Sequence, residues 1–555
     1  MALEGREATS IRAETRKLKR ELTLLPLFGL LYFTVSGGTF GIESLVSSSG
    51  PGLALLLIVL TPIVFSLPNV LMVRELSTMM PVEGGYYHWV KKAFGPFAGF
   101  MAGWSDWMVT WLDVAIYPVL AVTYLGYFVP ALREGMTVGG VELSAELVSW
   151  LAAVVIIWLI SGLQIRGARL SGLFTDWLGV LLLGPLVLMT ILGFYAWIQG
   201  GTTVDLPVVP EGGDFGGALS VGLFVVMWNY MGWELPSTAG GEIVNPRKTY
   251  PRAMALVLVA AVATYLLPVV AGLYGGAGAD GRWQLWGLEA TSEQYGITAD
   301  LVGQDIIDEE AAAVAEANGI PVEEVTLDDL SGPEVTAWKD QLTEWGVEPD
   351  SAVGWGLPEI AHVIGEGLGG ADLGVALGTL VTIAAILSMV GLFVGNSLGG
   401  SRVPFAMAAD GMFPRWMVKV HGRYGTPWVA IVVCGVVFSA FSWQAFAFLV
   451  VADVFLQSLV IMAEFAAMWK LRASYPEVPR QRVPGGVLGL VLVTVGPTAM
   501  ILLAIVSQYQ ESGFDAIGWA LVLGAVGVLL YPVFRRYLKP GVPDIDPFEG
   551  PPEVA

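Results

Sequence analysis

The chain has 555 residues, of which 55% are hydrophobic and 14% are charged. Repeated apolar runs of about 20 residues or more indicate an all-α polytopic membrane protein, and exclude a protein built around one water-soluble core. The formal net charge is −21, but 18 of the 49 acidic residues fall within residues 276–350, and the single cysteine excludes an intramolecular disulfide.

About twelve transmembrane helices are predicted from the apolar runs. The first run follows a basic segment but has no small-residue cleavage pattern, so we interpret it as a retained helix. We number the predicted spans 1 to 12: 24–47, 51–74, 96–130, 146–164, 170–199, 216–243, 252–275, 371–400, 426–442, 445–470, 485–507 and 514–536.

Basic residues alternate between the connecting loops. If the N-terminus is inside, 25 of the 28 basic residues fall on the inner side, and Arg133, Arg282 and Lys339 fall outside. This asymmetry predicts a multi-pass protein of the plasma membrane, in contact with lipid, with cytoplasmic tails at 1–23 and 537–555.

The acidic insertion at 276–355, between spans 7 and 8, is then extracellular. It holds a helix-like stretch at 301–317 and several tryptophans, which indicate partial folding rather than disorder. A cap that concentrates cations near an entrance is one interpretation. A solvated surface from a salt-rich habitat is the other, and it is favoured.

Two spans are interrupted, at residues 35–41 of span 1 and at residues 228–236 of span 6. Lipid supplies no hydrogen-bond partners, so broken backbone at membrane depth must be buried in protein or line a cavity. Two breaks at matching places in two halves of a chain are typical of a transporter whose substrate site lies between them.

The break in span 1 suits an anion. Gly37 and Gly38 allow close approach to the backbone, and the outer half-helix is predicted to start near Thr39 with its positive dipole end toward the cavity. This end would bind a carboxylate such as that of an amino acid. The alternative is a glycine kink that serves helix packing.

The break in span 6 has the opposite polarity. Its first half is predicted to end near Met227 or Trp228, where unpaired carbonyls would suit a cation, and Asn229 belongs to the same candidate site. One or two of Trp228, Tyr230 and Trp233 are predicted to pack over an alkyl chain or an ammonium group.

Six carboxylates fall inside the predicted spans without basic residues at comparable depth. A carboxylate there costs about 2.5–3.5 kcal/mol unless it faces a cavity or a partner, so these acids must be protonated, bind a cation or contact water. They indicate a cationic substrate, a proton relay, or both. The six are Glu43, Asp106, Asp113, Asp176, Glu234 and Asp453.

Asp106, Asp113 and Tyr117 lie on one face of span 3, at i, i+7 and i+11. Glu43 is predicted to bind the same amine as Asp113 or a second one, although one of these acids could instead bind a broken helix end. Because desolvation favours the neutral form of a carboxyl, the proton-coupling candidates are Asp106, Glu234 and Asp453.

The remaining polar residues predict no further chemistry. Glu75, Glu242 and Glu464 are predicted to form structural ion pairs at cytoplasmic helix ends. The three histidines are too scattered for a metal site, and the chain has no nucleotide loop, nucleophile motif or nucleic-acid-binding patch. We therefore predict no enzyme activity, metal or cofactor.

Three motifs carry a family resemblance, at residues 81–89 (PVEGGYYHW), 241–251 (GEIVNPRKTYP) and 471–484. With them, residues 22–484 apart from the insertion resemble the amino acid–polyamine–organocation superfamily. Residues 35–43 and 113–119 look most like the plant polyamine uptake transporters of its L-type amino acid transporter branch.

The resemblance implies a LeuT-like fold of two inverted five-helix repeats, at 24–199 and at 200–275 with 356–470, followed by helices 11 and 12 at 471–536. It also implies that Asp113 binds the substrate amine. By the same resemblance Trp228 matches a gating aromatic, and Glu234 matches an acid of polyamine transporters.

The sequence thus predicts a secondary active transporter that imports an amine by alternating access, with proton symport favoured over sodium. A polyamine is favoured as substrate, and a neutral or cationic amino acid permease or exchanger is the alternative. A non-transporting nutrient sensor is the alternative from another class; the short predicted cytoplasmic tails argue against it.

Overall fold

A computed structural model describes residues 23–36, 39–80, 85–166, 168–200, 203–210, 213–235, 237, 243–288, 294–351, 354–409, 412–424, 426–444, 446–512 and 515–536. Most of these residues are helical, which confirms the predicted all-α polytopic class. The predicted tails, the 81–84 part of the first motif and Glu242 lie outside the described residues, and nothing is said of the side chains of 167–182, which include Asp176.

Each predicted span contains a helix. In the described part of the chain, nine helices are long and apolar enough to cross a membrane, and spans 1, 6 and 9 are covered by shorter helices. The bounds are Leu24–Val35 and Glu43–Ser49 (span 1); Pro51–Thr61, the π-helical Pro62–Ser66 and Leu67–Met79 (span 2); Pro96–Leu125 (span 3); Ala145–Arg166 (span 4); Ala168–Gly200 (span 5); Phe215–Asn229 (span 6); Pro246–Gly272 and the π-helical Leu273–Ala277 (span 7); Ala371–Ala409 (span 8); Trp428–Phe441 (span 9); Phe446–Ser474 (span 10); Gly486–Ser512 (span 11) and Asp515–Arg535 (span 12).

The elements between the spans are short. An antiparallel hairpin pairs Met136 with Leu143 across its two strands. These elements are the helices Gly85–Phe94, Ala131–Glu134, Gly296–Val302, Gln304–Asn318, Pro333–Glu344 and Leu357–Gly369; the 3-10 helices Ala279–Leu285, Val322–Glu324, Leu327–Asp329 and Arg415–Val418; and the strands Met136–Val138 and Val141–Leu143.

A glycine followed by a proline marks where two of the long helices begin. Gly95 turns the chain with φ +91°, a conformation that glycine adopts without strain, and Pro96 then opens span 3 at its first position. Span 2 begins in the same way at Gly50 and Pro51. Proline fits there because its missing N–H would have no intrahelical acceptor.

The spans pack as two groups. Spans 1, 2, 6 and 7 contact one another, and spans 3, 4, 8 and 9 contact one another. Each group consists of two pairs of spans that are five apart in the chain, such as 1 with 6 and 3 with 8. Span 10 packs against spans 3 and 6, where the two groups meet.

The acidic insertion is folded and docks on the outer half of span 1. Helices Gly296–Val302 and Gln304–Asn318 share a small apolar core that includes Ile307, Ala311 and Val325. Gly287, with φ +60°, packs against the backbone of Glu43 and Ser44 so closely that a Cβ would collide with the Ser44 nitrogen. The insertion therefore touches the half-helix that follows the first break.

We predict that Gly287→Ala loosens the insertion from span 1, because a side chain there adds a collision to the cost of positive φ, which is about 1–3 kcal/mol. Limited proteolysis within 294–351 should become faster and the melting temperature should fall. Gly346→Ala is the matched control, since Gly346 has φ +75° but a Cβ on it would meet no atom within 4 Å. Equal effects of the two substitutions would argue against the docking.

A buried ion-pair cluster lies at the C-terminal end of span 2. Glu75 is 1% exposed, and its carboxylate accepts from Arg480 Nε at 3.2 Å, Arg472 Nη1 at 3.4 Å and the Val483 amide at 2.6 Å. The cluster ties span 2 to the end of span 10 and to the segment that leads into span 11. The ion pair predicted for Glu75 is thus present.

We expect Glu75→Ala to destabilise the protein by about 3–5 kcal/mol, because it leaves a buried guanidinium without its counter-ion. Thermal unfolding in detergent would measure the loss. The double variant Glu75→Ala with Arg480→Ala should cost less than the sum of the single variants, since it removes the uncompensated charge as well. Additive effects would show that the two side chains are not coupled.

Candidate functional site

The two breaks meet at one tyrosine of span 7. The first half of span 1 ends at Val35, and span 6 ends at Asn229. Tyr265 donates its hydroxyl to the Asn229 carbonyl at 2.7 Å and lies 3.5 Å from the Val35 carbonyl. A single side chain therefore contacts the carbonyl ends of both helices, which have no donor within their own helix.

The second half of span 1 begins at Glu43, so the predicted start near Thr39 is wrong by one helical turn. Thr39 is fully buried and donates its hydroxyl to the Thr264 carbonyl of span 7. Gly37 and Gly38 lie outside the described residues, so the predicted anion-binding amides there stay a prediction.

Glu43 begins the second half of span 1, and its side chain bonds the backbone of the break before it. Its carboxylate accepts from the Gly41 amide at 2.7 Å, the Tyr124 hydroxyl at 3.0 Å and the Leu357 amide at 3.0 Å. It is 3% exposed, so these protein donors surround it. The contacts match the alternative left open by the sequence, in which an acid binds a broken helix end.

The backbone carbonyls at the end of the span 6 helix also have hydrogen-bond donors within the protein. The Met227 and Trp228 carbonyls accept from the Tyr230 and Met231 amides, and the Tyr230 carbonyl accepts from the Trp233 indole at 2.8 Å. The prediction that unpaired carbonyls face a cation here is therefore wrong for these groups. Their hydrogen bonds close the helix end within the protein.

Asp113, Tyr117 and Trp228 come together between the two groups of spans. The Asp113 carboxylate accepts from the Tyr117 hydroxyl at 2.8 and 2.9 Å and from Trp228 Nε1 at 3.2 Å. Tyr117 in turn accepts from Asn396 of span 8 at 3.1 Å. Asp113 and Trp228 are half-buried, whereas Asp106, Glu234 and Asp453 are buried.

Asn229 and Tyr230 point away from this carboxylate. The Asn229 side chain donates to the Val225 carbonyl at 2.9 Å, and the Tyr230 hydroxyl donates to the Ile58 carbonyl of span 2 at 3.0 Å. Trp233 is fully buried as well. Of the three aromatics near this break, Trp228 is the one that contacts Asp113.

Glu234 lies within the break in span 6 and is 1% exposed. It accepts from the Gln457 amide of span 10. Asp453, one turn before Gln457, interacts electrostatically with Asp113, Asp106 and Glu234. Span 10 therefore contributes one polar partner of Glu234, Gln457, and one further buried acid, Asp453.

Two of the predicted proton sites keep an oxygen without a hydrogen-bond partner. Asp106 accepts from the Tyr86 hydroxyl at 2.5 Å on Oδ2, while its Oδ1 has no partner in the described part of the chain. Asp453 Oδ1 also has no hydrogen-bond partner among the described residues, and both Asp106 and Asp453 are almost fully buried. Such oxygens suit a carboxyl group that holds or passes a proton.

The prediction that Glu464 forms a structural ion pair at a helix end is wrong. Glu464 does not lie at a cytoplasmic helix end but within the helix Phe446–Ser474, fully buried, and neither of its carboxylate oxygens has a partner among the described residues. Tyr265, Asn396 and Gln457 were also missed. They are uncharged, so their sequence offers no signal of their role until the facing helices are known.

Comparison with known proteins agrees with this architecture. The profile of the amino acid permease family matches residues 23–280 and 351–529, on both sides of the insertion. Polyamine transporter RMV1 of Arabidopsis thaliana is 28% identical over 97% of this chain and 90% of its own length. Polyamine transporter PUT1 of Oryza sativa subsp. japonica is 29% identical over 96% of this chain and 83% of its own length. The match covers well over half of the chain, which therefore belongs to the amino acid permease family and is a multi-pass membrane transporter rather than an enzyme.

Proposed function

We propose that this transporter imports a polyamine across the plasma membrane by proton-coupled alternating access. The observation that carries the proposal is the set of carboxylates around Asp113 and Glu234. None of the ion pairs among the described residues involves Asp106, Asp113, Glu234 or Asp453. A cation is therefore the ligand that would compensate them.

A polyamine fits this arrangement better than an amino acid does. Its ammonium groups are separated by methylene chains, so it needs more than one carboxylate with apolar or aromatic surface between them. Asp113 and Glu234 supply the carboxylates, and Trp228 lies against Asp113 where an alkyl chain or ammonium could stack. An amino acid also needs a donor for its carboxylate; the Thr39 hydroxyl is already bonded to Thr264, and the amides of Gly37 and Gly38 lie outside the described residues. The names of the plant relatives point the same way.

The packing of the spans supports alternating access. The groups 1, 2, 6, 7 and 3, 4, 8, 9 each pair spans that are five apart, as two inverted five-helix repeats would require. Asp113 of span 3 and Trp228 of span 6 bond across the border between the groups. Movement of one group against the other would therefore open the site to either side. An inside-negative potential would favour uptake by about 2.3 kcal/mol per charge per 100 mV.

We predict that Asp113→Asn and Glu234→Gln each lower polyamine uptake by about 10- to 100-fold, because each removes a charge-assisted contact of about 1.5–3 kcal/mol. Uptake of labelled putrescine, spermidine, arginine and leucine into proteoliposomes with an imposed pH gradient would measure this.

Glu477→Gln is the control, since Glu477 is exposed on the segment after span 10. Leucine uptake that survives both substitutions would contradict the polyamine assignment and favour an amino acid permease with its site at residues 37–39. Binding of substrate without flux in the unmodified protein would instead indicate a nutrient sensor.

The orientation can be tested with the lone cysteine. Cys434 is 1% exposed, so the unmodified chain should resist an impermeant maleimide. We expect Asp328→Cys, in the insertion, to be labelled in intact cells, and Glu477→Cys only after permeabilisation, because the basic loops place residue 477 inside. The reverse pattern would invert the proposed topology and place both termini outside.

A further inference from the structure

Glu464 occupies a position that the substrate site does not explain. It is fully buried within span 10, and both carboxylate oxygens lack a hydrogen-bond partner among the described residues. An ionised carboxylate without a donor or a counter-ion is strongly disfavoured in such a place. In this conformation the group is stable as a neutral acid, which can give up a proton.

The described residues include further buried polar atoms without partners. Gln457 lies seven residues before Glu464, on the same face of span 10, and donates its amide to Glu234 while its own Oε1 lacks a donor. Tyr250 of span 7 is 2% exposed, and its hydroxyl also lacks a hydrogen-bond partner among the described residues. Tyr250 interacts electrostatically with both Glu234 and Glu464. The Tyr250 hydroxyl and Gln457 Oε1 are therefore the candidate relay atoms between Glu234 and Glu464.

The described elements packed around Glu464 present acids to it rather than a cation. Span 6 presents Glu234, span 3 presents Asp106, and both interact with Glu464 electrostatically. The helix Gly85–Phe94 presents Tyr86, whose hydroxyl is bonded to Asp106, while its Lys91 and Lys92 lie over the rings of Tyr87 and Tyr475. At the cytoplasmic end, Arg472 and Arg480 are bonded to Glu75, Lys470 lies over Phe94, and span 12 ends in Arg535.

We propose that Glu464 carries the coupling proton of the transport cycle. The proposal rests on the proposed function. In the step before this conformation, Glu464 is a carboxylate that has released its previous proton. A proton that arrives on Glu234 leaves its carboxyl oxygen for the Tyr250 hydroxyl oxygen, and the original Tyr250 hydroxyl proton passes to a Glu464 carboxylate oxygen. Glu234 then becomes the anion that binds a substrate ammonium group, and Glu464 is neutral. Glu464 releases the proton toward the cytoplasm when the inner side opens.

This order couples the two fluxes through electrostatics. Two neighbouring buried carboxylates without cations cannot both be ionised at moderate cost. Glu234 can therefore hold its charge for the substrate only while Glu464 is neutral or while an ammonium group is bound. Glu464 does not touch the substrate. It acts through Glu234, whose charge it controls by holding or releasing the proton.

The test separates driven uptake from exchange. For Glu464→Gln we expect at least tenfold loss of putrescine accumulation driven by a pH gradient, and loss of substrate-dependent proton entry reported by an internal pH dye. Putrescine counterflow without a gradient should stay within about threefold of the unmodified protein. Glu234→Gln should lose both activities, because it removes a substrate ligand.

Gradient-driven accumulation that survives in Glu464→Gln would overturn the proposal, and so would an equal loss of driven uptake and counterflow, which indicates a structural role. If Glu464→Gln folds poorly, Glu464→Asp decides. It should shift the pH profile of driven uptake while counterflow is unchanged, and an unshifted profile overturns the proposal. An unmodified protein that shows neither polyamine uptake nor counterflow would refute the proposed function instead.

Discussion

The structure depends on how it satisfies the backbone of two broken helices at membrane depth. Lipid offers no partner to the orphan carbonyls and amides at such breaks, so the protein must supply them. Tyr265 serves the carbonyl ends at Val35 and Asn229, and Glu43 with Tyr124 serves the amide of Gly41 on the other side of the first break. These side chains are buried because they replace water.

This requirement divides the buried acids by role. Glu43 and Glu75 have several donors each, and they connect neighbouring helices and loops. Asp113 has two donors, Tyr117 and Trp228, and is half-buried. Within the described chain, Asp106, Asp453 and Glu464 keep unpartnered oxygens, which suits groups that exchange protons. The same side-chain chemistry thus serves structure at Glu43 and Glu75 and, in the proposed function, binding and coupling at the other acids.

The insertion contacts the half-helix that follows the first break. Gly287 packs against the backbone at Glu43 and Ser44, and the Leu357 amide after the insertion donates to the Glu43 carboxylate. The half-helix after the first break is therefore bonded to the insertion and to the helix that follows it. Any movement of this half-helix must carry these elements with it or break these contacts.

The sequence by itself determined the membrane class, the approximate spans, the two breaks and the presence of acids without basic residues at their depth. Length, hydropathy and charge asymmetry are properties of the chain alone, so they need no partner. The tertiary structure decided which donors face each acid. Glu43 accepts three hydrogen bonds, whereas Glu464 has no donor among the described residues. The packing also places Tyr265, Asn396 and Gln457 beside their acceptors. Helical periodicity assigns a residue to a face, but only the packing of the helices determines what lies opposite that face.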